Sequence, residues 1–188
     1  MKKLLLLTML FTISLICYSQ EKQSEKLPET KSKSVEFMSK DGTFMKKQFY
    51  DLGKIKGLRC EVMIITDVVN QKKVGCLRLE TSYSSSYTSD TYIGTLDYDE
   101  IDACVKSLNY ILNDVLPSHP DTYTETQYKS RDGVKFGTYY TKKTDKWTAF
   151  VYTKDYNSRS AEFFDSSNIT ALIQVMEDAK KMILEKIK

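Results

Sequence analysis

Leu96-Asp97-Tyr98-Asp99-Glu100-Ile101-Asp102-Ala103-Cys104-Val105 holds the plan of the chain. It reads as an apolar strand end, an aspartate suited to capping, and the first turns of an amphipathic helix. Asp97 and Glu100 have the spacing of a capping box, in which each side chain satisfies a backbone donor that the helix start leaves free. Apolar residues continue at helical spacing through Ile101, Cys104, Val105, Leu108, Ile111, Leu112 and Val115. The same order returns 68 residues later in Phe164-Asp165-Ser166-Ser167-Asn168-Ile169-Thr170-Ala171-Leu172-Ile173, followed by Met176, Ala179 and Ile183. Two helices are therefore expected, each with one buried face.

A second match lies upstream of each helix. Val35-Glu36-Phe37-Met38-Ser39-Lys40-Asp41-Gly42 corresponds to Thr126-Gln127-Tyr128-Lys129-Ser130-Arg131-Asp132-Gly133, 91 residues on. Both read as extended segments ending in Asp-Gly, a strong hairpin signal because a tight turn with positive φ wants glycine. Between hairpin and helix lie Leu58 to Asp67 and Val74 to Tyr83 in the first copy and Trp147 to Thr153 in the second, all rich in β-branched and aromatic residues. The spacings of 91 and 68 give the first copy 23 more residues, assigned to a longer hairpin and a loop around Ser84 to Ser89. The expected fold is α+β: a curved antiparallel sheet built from two pseudo-repeats, 35–116 and 121–188, each closed by one helix.

In element order this plan resembles the Whirly and Pur-type single-stranded nucleic-acid binding folds, with no shared sequence motif. The resemblance implies a nucleic-acid-binding sheet face, which would have to be basic and aromatic.

The ends and the composition set the context. Lys2-Lys3, the apolar run from Leu4 to Ile16 and the small residues before Gln20 read as a signal peptide spanning 1–19, too short for a membrane span of about 20 residues. Lipidation at Cys17 is the competing reading, weakened by Ile16 where a small residue is wanted. Residues 20–34 are polar and charged and read as a flexible tether, leaving 35–188 as a single domain. Loss of Lys2 and Lys3 with no acid lowers the formal charge from +3 to +1, so neither nucleic acid nor another acidic polymer is an implied partner.

Chemistry is sparse. The chain has one histidine, no phosphate loop and no metal-spaced Cys/His cluster, so no cofactor and no metal are expected. Asp97, Asp99, Glu100 and Asp102 occupy a helix cap and first turn, where carboxylates belong without a metal. Asn168-Ile169-Thr170 matches a glycosylation sequon at a helix start. Pairing Leu58–Asp67 with Val74–Tyr83 puts Cys60 on the face of Val62, Ile64, Leu77 and Leu79, and Cys76 on the face of Arg78 and Glu80. Cys60 and Cys104 are then the one pair placed for a disulfide, the alternative being two buried thiols. His119 sits in Pro117-Ser118-His119-Pro120, read as a linker. Tyr139-Tyr140, Trp147, Phe150 and Tyr152 are expected to be mostly core.

Thr81 to Tyr92 interleaves tyrosines with Ser and Thr, a composition suited to recognition, and makes Tyr83, Tyr87 and Tyr92 the candidate binding residues. The function expected is a non-enzymatic binding module of the cell envelope, its partner a protein or a glycan. A hydrolase or thiol enzyme is the alternative, and a single-stranded nucleic-acid binder the second alternative.

Overall fold

Asp97 and Glu100 form the expected capping box, with Glu100 Oε2 accepting from Asp97 N at 3.1 Å. One turn of 3-10 helix, Tyr98–Glu100, then leads into the helix over Ile101–Tyr110 and a π turn, Ile111–Val115. Asp165 caps the other helix, Ser166–Ile187, accepting from Asn168 N at 3.1 Å while Asn168 Oδ1 accepts from Asp165 N at 3.2 Å. The computed structural model describes residues 31–188. The signal peptide, Cys17 and the tether as far as Thr30 lie outside the described residues.

The order of elements is α1 (Lys33–Met38), β1 (Met45–Ile55), β2 (Leu58–Asp67), β3 (Lys72–Ser84), β4 (Ser89–Asp97), α2 (Ile101–Tyr110), β5 (Thr124–Lys129), β6 (Lys135–Thr141), β7 (Lys146–Tyr152), β8 (Ala161–Phe164) and α3 (Ser166–Ile187). The class is α+β. The strands form two four-stranded antiparallel meanders, β1-β2-β3-β4 and β5-β6-β7-β8, and a long helix follows each. The pseudo-repeat thus appears as four strands and a helix, twice.

Register in the first sheet follows the reading from sequence. Cys60 lies opposite Leu79, Val62 opposite Leu77 and Met63 opposite Cys76. Cys60, Val62, Ile64, Leu77 and Leu79 join the main core, which also takes in Ile101, Cys104 and Leu108 of α2, Phe136 of β6, Val151 of β7, and Ile169, Leu172, Met176 and Ile183 of α3. Although α3 belongs to the second repeat, it lies across β1, β2 and β3 of the first. It crosses at Gly75, where an added Cβ would stand 2.5 Å from Ile183 Cγ2. The sheets are joined by buried hydroxyls: Thr81 Oγ1 and Thr153 Oγ1 are 2.7 Å apart, Thr81 Oγ1 donates to Ser160 O at 3.1 Å, and Asp132 Oδ2 accepts from Thr95 N at 2.9 Å.

The first repeat does not open with a hairpin. In the second, Ser130–Val134 does connect β5 to β6, with Gly133 at φ 85. In the first, the matching segment is the helix α1, and the tether gives way to ordered chain before Val35. Ser32 and Ser34 are buried, and Ser32 Oγ caps α1 by accepting from Val35 N at 3.3 Å. Asp97, itself 1% exposed, accepts from Lys33 N at 2.7 Å, Ser34 N at 3.0 Å and Ser34 Oγ at 2.6 Å. Anchored in this way, α1 lays Phe37 over Met63, Ile65 and Cys76 on the outer face of the first sheet.

Candidate functional site

Period-two alternation in the second sheet sends Phe136, Tyr140 and Val151 inward and Tyr139, Phe150 and Tyr152 outward. The expectation that this aromatic group is mostly core therefore holds for Tyr140 and is corrected for Tyr139 and Tyr152, which lie half-buried on the outer face. Tyr123, just before β5, and Phe163 of β8 join them, 60% and 46% exposed. Ring centroids are 6.4 Å apart for Tyr123 and Tyr139, 6.3 Å for Tyr139 and Phe150, and 5.2 Å for Phe150 and Tyr152. These are offset or edge contacts at ordinary aromatic spacing, and they join Tyr123, just before β5, to rings on β6 and β7 in one row, with Phe163 of β8 lining the same cavity.

Two cavities open along this row and share Glu125, Phe150 and Tyr152. The first, about 350 Å³, adds Gln127, Lys135, Tyr156, Asn157 and Ser158 and is polar at its rim. The second, about 300 Å³, adds only Tyr123, Tyr139 and Phe163. Tyr123 Oη donates to Glu125 Oε2 at 3.0 Å, and that hydrogen bond raises the phenol's pKa and keeps it a donor.

Tyr156 forms one wall. It is 95% exposed and sits at φ 58, a left-handed conformation that a bulky residue rarely adopts. Lys135 Nζ and Lys129 Nζ lie 4.9 and 5.7 Å from its ring centroid, within cation–π range. Both ammoniums also meet the Asp155 carboxylate. Against partial desolvation, which would raise it, the two ammoniums hold Asp155 below the ordinary carboxyl value. Asp155 thus balances one of the two lysine charges, whereas Glu125 meets no cation among the described residues.

Tyr83, Tyr87 and Tyr92 lie on the β3–β4 hairpin. Tyr83 is stacked by Arg159 at 5.1 Å, and Tyr92 Oη donates to Asp90 at 3.4 Å. Tyr87 stands at the tip, 96% exposed. The turn itself is short and self-bonded, with Ser85 N donating to Thr88 O at 2.8 Å and Ser85 Oγ accepting from Thr88 N at 3.2 Å. The loop after β7 links the two regions, since it carries Tyr156 and Asn157 to the cavities and Arg159 to the hairpin.

Cys60 and Cys104 share one core as free thiols rather than a bridge, and Cys76 is free beneath α1. Burial pushes Cys60 and Cys76 up to about 12 and raises Cys104 as well. Among the described residues, burial thus keeps these three cysteines as thiols at neutral pH. His119 lies between α2 and β5, as a linker residue should, and its Nδ1 is 2.9 Å from Asp145 Oδ1, which also accepts from Tyr140 Oη at 2.6 Å. Both members of the pair are exposed, in a cavity also lined by Trp147, Asp165 and Ser166. Among the described residues Asp145 is the only hydrogen-bond partner of His119, and no cluster of three or more metal-ligating side chains occurs. No described helix is long and apolar enough to cross a membrane. No family model, no curated protein and no solved structure matches this chain.

Proposed function

We propose that this chain is an exported, non-enzymatic binding module of the cell envelope, that its recognition surface is the outer face of β5–β8, and that its partner is a glycan. The observation that carries the reading is the row of aromatic rings on an open sheet face, rimmed by Glu125, Gln127, Asn157 and Ser158. A sugar ring has an apolar C–H face and a rim of hydroxyls. Aromatic planes take the first, while the carboxylate, amides and hydroxyl take the second. Export rests on the charged and apolar N-terminal sequence. Single-stranded nucleic acid fits less well, because the face is aromatic but not basic: the two charges of Lys129 and Lys135 are matched by those of Asp155 and of Glu125 at its centre. Tyr87 at the hairpin tip is assigned a flanking contact.

A hydrolytic reading draws on His119 beside Asp145 and Asp165 in the third cavity. It lacks a nucleophile held against the imidazole, so binding is the reading retained.

Co-sedimentation with insoluble envelope polysaccharide tests the proposal. The native protein should be retained and Tyr152→Ala released, with its unfolding free energy within about 1.5 kcal/mol of the native value because the ring is half-exposed. Tyr87→Ser should weaken retention without altering stability. Equal retention of Tyr152→Ala overturns the assignment of the surface, and retention of neither protein overturns the glycan.

A further inference from the structure

The second cavity surrounds its opening with more ring faces than stacking on one sugar would use. Five of its six lining residues are aromatic (Tyr123, Tyr139, Phe150, Tyr152 and Phe163), and the sixth is Glu125. Phe150 is 5% exposed and forms the floor, while Tyr123 and Phe163 stand at the mouth, 60% and 46% exposed. The negative faces of aromatic rings attract a cation, and a carboxylate at the same opening adds a full charge of the same sign. No lysine or arginine lines this cavity. Lys129 and Lys135 lie at the polar cavity with Asp155 and Tyr156, and Lys56, whose Nζ donates to Phe163 O at 3.0 Å, stands outside the lining, so no cation of the described residues covers the rings of this cavity.

We propose that this aromatic cleft, closed on one side by Glu125, binds a small organic cation bearing an alkylated ammonium group. A primary ammonium asks for three acceptors. The cleft offers one carboxylate, already accepting from Tyr123 Oη at 3.0 Å, and otherwise ring faces and phenol oxygens. A tertiary or quaternary ammonium is weakly hydrated, donates one hydrogen bond or none, and presents methyl groups that pack on rings, so it loses little on leaving water. An inorganic cation is the opposite case, since it needs several oxygen ligands. The inference shares the outer face of β5–β8 with the glycan reading but does not depend on the partner being a glycan.

The test titrates the full chain with tetramethylammonium and choline, following the ring resonances of Tyr139 and Phe150 by NMR. The control is the neutral isostere of choline, in which a quaternary carbon replaces the nitrogen. Both cations should bind saturably and shift these rings, and Glu125→Gln should weaken each by about tenfold, while the neutral isostere binds weakly or not at all. Raising the salt concentration should weaken the cations alone. Equal binding of choline and its isostere would reduce the cleft to an apolar groove and overturn the proposal, as would absence of saturable binding by a natively folded protein. Cation binding without polysaccharide retention leaves this inference standing and removes the glycan. Retention without cation binding does the reverse.

Discussion

At the scale of single residues, Asp97 joins three parts of the chain: the start of α1, the cap of α2 and Arg131, whose Nη2 donates to Asp97 Oδ2 at 3.0 Å. Removing the carboxylate leaves the amides of Lys33 and Ser34 and the Ser34 hydroxyl without their acceptor, while Arg131 keeps Asp99 and Glu100. Asp97→Ala should therefore cost about 3 kcal/mol or more in urea unfolding and raise amide exchange across Lys33–Met38. A loss under 1 kcal/mol would mean that water replaces the carboxylate at little cost. Asp99, beside it, is lowered from 3.8 to about 2 by its hydrogen bond from Arg131 and a second from Lys33. A folded-state pKa below the unfolded one gives stability that is present above 3.8 and is lost as pH falls toward 2. Glu100 works the other way, because burial raises its pKa and protonation relieves it. Asp99→Asn should flatten the acid limb of the stability profile between roughly pH 4 and 2 in chemical denaturation. A third outcome concerns the thiols: iodoacetamide should label Cys60, Cys76 and Cys104 only after denaturation, as read by peptide mapping.

At the scale of elements, the decisive contact is α3 on β3. Gly75 lets Ile183 sit against the strand, so Gly75→Ala must displace a side chain in a filled core and should cost about 1–3 kcal/mol. Ile183→Ala makes room for the new methyl. The double variant should lose less than the sum of the single losses, a coupling that a thermodynamic cycle measures directly. Additive losses would place the two residues out of contact. The same reasoning explains α1. Its six residues are too few for a stable helix in isolation, and they hold because Ser32 and Asp97 bind their free amides and Phe37 is buried.

At the scale of the whole molecule, the second repeat lends its helix to the first sheet, so the main core is shared by both. Fragment 31–118 lacks α3 and would expose Ile64, Leu77 and Leu79. It should show no cooperative unfolding alone, and mixing it with 121–188 should restore the native circular dichroism signal. A sharp independent transition in either fragment would show the sheets to be separable. The two long helices, their caps and buried faces, and the pairing of β2 with β3 were legible in the sequence, because periodicity and capping are local and survive without knowledge of neighbours. The helix α1 was not legible, since its segment reads as an extended strand and two of its supports, Asp97 and the apolar patch under Phe37, lie far away in the sequence. Nor was the aromatic row. Alternation could divide the aromatic residues of β6 and β7 into two faces, but it could not say which face the rest of the molecule would leave open. Sequence alone determined the two capped helices and the pairing of β2 with β3; tertiary structure decided that 33–38 is a helix, which surfaces became core and which became a site, because these depend on what the rest of the chain brings to each segment.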